Sequence, residues 1–224
     1  MIKKINIQQA IAASFFLTLM LVFGFVVIEP TLIRAVEDQF IVTQSITAEI
    51  AFTTAANNVT MNGSIAGITG GTAYGTTTSI VTTNNNTGFT MTIIASSSPA
   101  MQGDATTDFI SDYTPATTGI PDYAYSVPTG SEFGFSVSAS TTANLAQKFL
   151  DNGSNTCNSG SADTNGSQTC WMGLSTTATS TLVTSAQTPS SGATSSVYFR
   201  TLVNSGFLAE DTYTATVTQT AVIN

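Results

Sequence analysis

Few residues in this chain can do chemistry, and the one most enzymes depend on is missing, since it contains no histidine. That removes the commonest general base and the commonest metal ligand, and with them every Ser–His or Cys–His nucleophile. Carboxylates remain. Asp104, Asp108 and Asp112 recur at four-residue spacing in a stretch bounded by Gly and Pro. An oxygen-rich loop can hold Ca2+, but this spacing matches no recognised calcium loop, and solvated loop carboxylates are the simpler reading. Asp151-Asn152-Gly153-Ser154-Asn155 opens like a calcium loop without its closing Glu, which points to an Asx-rich turn. No spacing singles out a carboxylate pair for glycoside hydrolysis. We therefore expect no enzyme, and no cofactor beyond Ca2+ at the three aspartates.

Two further residue sets have chemical potential. Cys157 and Cys170 are the only cysteines. In an exported chain such a pair reads as a disulfide, and closing a loop of this size is worth roughly 3 kcal/mol. Tyr113, Tyr123, Tyr125 and Trp171 fall in or beside polar, turn-rich stretches. Aromatic side chains there can stack on sugars or a partner, which makes Tyr123, Tyr125 and Trp171 candidate ligand contacts. They can equally close the ends of a core.

The elements that must position these residues follow from the composition. The chain carries 41 Thr and 25 Ser, and only 8% of it is charged, against ~25% in ordinary soluble domains. Thr is β-branched and favours a pleated surface over a helix. At the N-terminus, Lys3 and Lys4 precede the uncharged run Ala10–Ile28, then Glu29, Pro30 and Ile33-Arg34-Ala35. This is the plan of an export signal, with cleavage between Ala35 and Val36. The run is also long enough to remain as a membrane anchor. In either case the lysines stay inside and the remainder is carried out, to an extracellular or cell-surface location. Membrane contact is then confined to residues 10–28, if these are retained. Beyond residue 35 there are two basic residues, Lys148 and Arg200, and twelve carboxylates, a net 2 − 12 = −10. Such a surface repels phosphate backbones, so nucleic acid is not an expected partner.

The region 36–224 reads as a single antiparallel β-sandwich domain, immunoglobulin- or jelly-roll-like, preceded by the apolar N-terminal helix. From Phe40 to Phe52 apolar and polar residues alternate, with Gln44 the only polar residue on the apolar side. Period two over thirteen residues is a strong strand pattern. It is also about twice the usual strand length. Either it bends to serve both sheets, or its first half projects and pairs elsewhere. Alternation also marks strands at Thr76–Thr83, Phe89–Ile93, Phe133–Val137, Val197–Val203 and Tyr213–Thr220, the last with a ladder of threonines on one face. A short strand is expected from Val59 and a short helix over Asn144–Leu150. Residues 98–131, rich in proline, and residues 151–192, rich in Ser, Thr, Asn and Gly, read as loop insertions.

Gln39-Phe40-Ile41-Val42-Thr43-Gln44 after an export signal, Thr87-Gly88-Phe89-Thr90-Met91-Thr92-Ile93 after an Asn run, and the closing Asp211-Thr212-Tyr213-Thr214-Ala215-Thr216-Val217 together resemble small secreted β-sandwich proteins of bacterial surfaces. The nearest groups are the TasA/camelysin-like fibre proteins and the WxL-type surface proteins. The chain departs from both. Trp171-Met172-Gly173-Leu174 has one residue too many between Trp and Leu for the WxL motif, and no histidines are present for a metal-dependent protease. The resemblance implies architecture and location, and, in the fibre-forming group, an N-terminal strand donated to the next subunit. The leading expectation is an exported structural subunit, of a fibre, pilus, biofilm matrix or surface layer, that assembles with copies of itself. Residues 38–46, with Phe40, Val42, Gln44 and Ile46 on the pairing face, would complete a neighbour's sheet. The alternatives are a monomeric adhesin-like module that recognises a surface glycan or protein, and an anchored domain that does not assemble.

Overall fold

The structure, a computed structural model, describes residues 7–27, 39–105, 107–127, 129–163, 169–205 and 208–224. The chain divides into two units, Met1–Ser45 and Ile46–Asn224. The expected cleavage site, Ala35 and Val36, lies outside the described residues. The first unit contains helix α1 (Ile7–Val27), on which Phe15, Phe16 and Met20 are exposed. Among the described residues no helix is long and apolar enough to cross a membrane. In the sequence the uncharged run continues through Phe23 to Ile28, past the described side chains.

Of the two alternatives for the alternating run from Phe40 to Phe52, a single bent strand serving both sheets is not formed. Residues 39–49 belong to no strand, and pairing begins only with β1 (Ile50–Thr54). Alternation equips a segment to be a strand, but a strand exists only where another backbone supplies the ladder.

The second unit is all-β. After β1 come β2 (Gly71–Thr83), β3 (Phe89–Ala95), β4 (Met101–Gly103), β5 (Phe109–Asp112), β6 (Gly130–Ala139), β7 (Met172–Gly173), β8 (Thr179–Val183), β9 (Ala193–Ser205), β10 (Tyr213–Ala215) and β11 (Val217–Ile223). The larger sheet has the order β1-β2-β9-β6-β5-β4-β10, with β7 also paired to β6. The smaller has the order β11-β3-β8. The strand pairings are antiparallel as expected except one: β5 runs parallel to β6, with Ser111 opposite Glu132.

Burial follows the alternation. On β3, Phe89, Met91, Ile93 and Ala95 are buried while the residues between them are partly exposed. These side chains join Phe133, Phe135 and Val137 of β6 and Val197 and Phe199 of β9 in one apolar cluster drawn from both sheets. Each large apolar side chain fully buried there contributes about 1.5–3 kcal/mol. The turn from β2 to β3 depends on Gly88, at φ +78°, where a Cβ would run into the Thr184 backbone.

Other local expectations change in detail. The final strand is two strands, because at Thr216 the chain passes from the larger sheet to the smaller, and the Thr216 carbonyl accepts from the Ser96 N–H at 3.0 Å. Thr218 and Thr220 face outward, as the threonine ladder requires. Residues 98–131 are not simply an insertion, since they supply β4 and β5, and residues 151–192 supply β7 and β8. Asn144–Leu150 is not one helix. Two 3-10 turns, Thr142–Asn144 and Gln147–Phe149, flank and bury Leu145, Phe149 and Leu150. Val59-Thr60-Met61 forms no strand, and the neighbouring Asn62 makes an isolated bridge to Tyr74.

Candidate functional site

Two regions of the second unit bring side chains together in ways that matter for function. One is a groove along the edge of β10 and β11. Among the described residues neither strand has a partner on its outer side: β10 pairs with β4 and β11 with β3. In an antiparallel ladder alternate residues direct their N–H and C=O to the same side. The hydrogen bonds Ser96 N–H to Thr216 C=O and Asn224 N–H to Gly88 C=O place the even-numbered residues against β3. The backbone groups of Val217, Gln219, Ala221 and Ile223 therefore face outward. Across from this edge runs the segment that follows β1, held to β2 by Asn57, whose N–H donates to Thr77 Oγ1 at 2.9 Å.

Between them lies a groove of about 1370 Å3, with Ile93, Met101, Ile110, Phe133 and Phe199 among its lining residues and Glu210 and Asp211 beside them. Val217, Gln219 and Ala221 form the half-buried face of β11. Gln219 interrupts it: its Oε1 is buried and has no hydrogen-bond donor among the described residues. Inside a protein an unsatisfied amide oxygen costs about 1–3 kcal/mol.

The second region is an aromatic cluster at β6. Tyr113 stacks on Tyr125 at 4.4 Å, and Tyr125 meets the edge of Trp171 at 5.2 Å. The Arg200 guanidinium lies over the Tyr74 and Tyr125 rings at 5.1 and 4.8 Å. Small residues permit the approach: a Cβ on Gly173 would strike the Tyr113 backbone, and one on Gly134 would come within 2.8 Å of Tyr113 Cβ. Tyr113 Oη donates to Asp122 Oδ2 at 2.8 Å, and Tyr125 Oη donates to the Glu132 carbonyl at 2.6 Å. Burial, reinforced at Tyr113 by the Asp122 hydrogen bond, pushes both phenols well above their ordinary range, so they act as neutral donors. Glu132 is also shifted upward by burial, against the opposing pull of the Thr114 N–H.

Of the candidate ligand-contact aromatics, two are buried and Tyr123 is partly buried. Trp171 is 1% exposed and Tyr125 8%. Tyr123 packs against the main core cluster. These rings are occupied in closing one part of the core. Tyr125, the centre of the stack, and Arg200, its cation, carried no local pattern that would have joined them, because Arg200 on β9 reaches the cluster only through the register of β6 on β9.

The three aspartates are likewise not gathered. Asp112 accepts from Ala100 N–H at 2.9 Å and Ser98 Oγ at 3.0 Å, while Asp108 accepts from Ala209 N–H at 3.1 Å. The Asp104 N–H pairs with the Thr212 carbonyl. Among the described residues no three His, Cys, Asp or Glu side chains could hold a metal together. Carboxylates four apart on a strand-and-turn path diverge, unlike residues one helical turn apart. Asp151 forms an Asx turn, accepting from Gly153 N–H at 2.6 Å. Cys157 and Cys170 form the expected disulfide, with Cα atoms 5.7 Å apart.

The expected strand-pairing residues lie in no strand of their own chain. Phe40, Val42 and Ile46 are 82%, 82% and 84% exposed, and the Gln44 amide donates only to the adjacent Ser45 carbonyl. The groove residues Ala215, Val217 and Gln219 went unremarked as a site in the sequence, although Gln219 breaks an apolar face just as Gln44 does. No family model, curated protein or solved structure matches the chain.

Proposed function

We propose that this chain is an exported structural subunit of the cell surface, a β-sandwich that assembles with copies of itself through the strand-forming segment at residues 38–46. The observation that carries the reading is the exposure of Phe40, Val42 and Ile46 on a segment with strand alternation and no strand partner. Apolar side chains in such a row are a poor match for water and a good match for a sheet edge. The supporting features are the charge-free run after two lysines, the disulfide, which suits an oxidising compartment, and the threonine-rich outer face of β11. The TasA/camelysin-like resemblance points the same way. Assembly by strand addition draws on backbone hydrogen bonds for affinity and alternate side chains for specificity, which fits a chain with no histidine.

The test is size-exclusion chromatography and electron microscopy of residues 36–224, with and without residues 36–44. The full segment is expected to give oligomers or filaments, and the deletion to abolish them. Monomers at high concentration, with stability indifferent to the deletion, defeat the proposal. The groove also supports a second reading, a monomeric module that takes a surface glycan or a protein segment; binding on a glycan array by a strictly monomeric chain would favour it.

A further inference from the structure

We infer that the segment docks along the outer edge of β10 and β11 of a second copy, in a register fixed by Gln44 against Gln219. The inference rests on the strand-donation reading above and adds its address. Two faces are involved, and their patterns match. The donor face is Phe40, Val42, Gln44 and Ile46; the acceptor face is Ala215, Val217, Gln219, Ala221 and Ile223. Each has a single glutamine flanked on both sides by apolar residues. Placing Gln44 opposite Gln219 sets apolar residues opposite Val217 and Ala221 whichever way the donor strand runs.

The energetics favour this register over its neighbours. A slip of one residue turns the donor's apolar face to water. A slip of two keeps the apolar face inward but puts Gln44 against Val217 or Ala221. Gln219 Oε1, already buried without a partner, would stay so, and a second amide would be buried beside it. In the proposed register the Gln44 amide donates to Gln219 Oε1, and the outward N–H and C=O groups of Val217 and Gln219 gain a ladder. A single buried polar pair of this kind is a known way to set register between otherwise apolar partners. The groove supplies the volume that Phe40 or Ile46 would need, over a floor that includes Ile93 and Phe199.

The experiment uses the full chain, exported by a host that oxidises cysteines, with the native Cys157–Cys170 pair left in place. Residues directly opposite in a strand pair have Cα atoms ~4.5–5.5 Å apart, within the ~4.4–6.8 Å that a disulfide spans. A chain carrying Gln44→Cys mixed with a chain carrying Gln219→Cys should give a covalent dimer on a non-reducing gel, and a chain carrying both should give a ladder. Gln44→Cys mixed with Val217→Cys should give neither. Gln219→Ala alone should raise the concentration for half-assembly about tenfold, the equivalent of one lost buried hydrogen bond. Filaments without the Gln44–Gln219 cross-link overturn the register and leave strand donation standing. A cross-link confined to the monomer shows the segment closing its own domain, and overturns both. Monomers with no cross-link also overturn both.

Discussion

The aromatic cluster at β6 and the groove beside β10–β11 are both built where strands of the larger sheet meet loops, yet one is closed and the other is not. In the cluster both phenol hydroxyls have acceptors, and Trp171 is sealed beneath Tyr125. Each region leaves one buried side-chain atom without a hydrogen-bond partner among the described residues, Arg200 Nε in the cluster and Gln219 Oε1 in the groove, but only in the groove does a run of backbone groups face outward with no described strand beside it. Closed regions hold a fold together, while regions with unspent hydrogen-bonding capacity are where a second backbone has something to gain. Trp171 and Tyr125, which look like binding equipment in the sequence, are buried in the core, whereas a plain threonine-lined strand keeps an open edge.

The largest expected effect that would sharpen this contrast comes from Trp171→Ala. Removing a fully buried indole and leaving a cavity costs roughly 3–5 kcal/mol. Chemical denaturation should show that loss. At a temperature where the variant remains folded, its assembly should match the unmodified chain. If assembly fails while the fold is intact, the cluster is not the passive region described above.

A smaller effect is expected from Tyr125→Phe. The ring and its stacking on Tyr113 are kept, but the hydroxyl that bonds the Glu132 carbonyl at 2.6 Å is lost. With the carbonyl left in place, the change should cost about 1 kcal/mol, read as a shift in denaturation midpoint with an unchanged slope. A null result would mean that solvent reaches this carbonyl and that the cluster is less closed than its burial implies.

How much of this was legible in the sequence depends on the range of the interaction. Phe89, Met91 and Ile93, or Phe133, Phe135 and Val137, declare their strand by period two because burial on one face is a local pattern. The Cys157–Cys170 pair was readable because only two cysteines exist. The three- and four-residue strands β4 and β5 were not, since so few residues display no period, and the prolines around them read as loop. Residues 39–49 carry the strongest alternation in the chain and form no strand in it, because pairing is a property of two backbones. The groove was invisible for the same reason. Its walls, residues 55–61 and 208–219, are separated by most of the fold, and only Gln219, polar on an apolar face, hinted at it.

The smallest expected effect concerns pH and again divides the two regions. The Glu132 side chain is only partly buried on β6, and burial raises its pKa above the ordinary glutamate value, with the Thr114 N–H pulling the other way. A carboxyl raised on folding binds its proton more readily in the native state than in the unfolded chain. Its favourable contribution is therefore full below the unfolded pKa and is lost as pH rises through the raised folded value. At neutral pH the ionised side chain is a mild liability beside Tyr113 and Tyr125. Glu132→Gln keeps an acceptor for the Thr114 N–H without the charge, so the variant should melt slightly higher at neutral pH and no differently under acid. Solvent screening at so exposed a site keeps the gain within about 0.5 kcal/mol. Thermal melts of both chains across the carboxylate titration range measure it. A variant that melts lower at neutral pH would show that the ionised carboxylate stabilises the aromatic cluster, which would make it an electrostatic site and not the inert, closed counterpart of the groove.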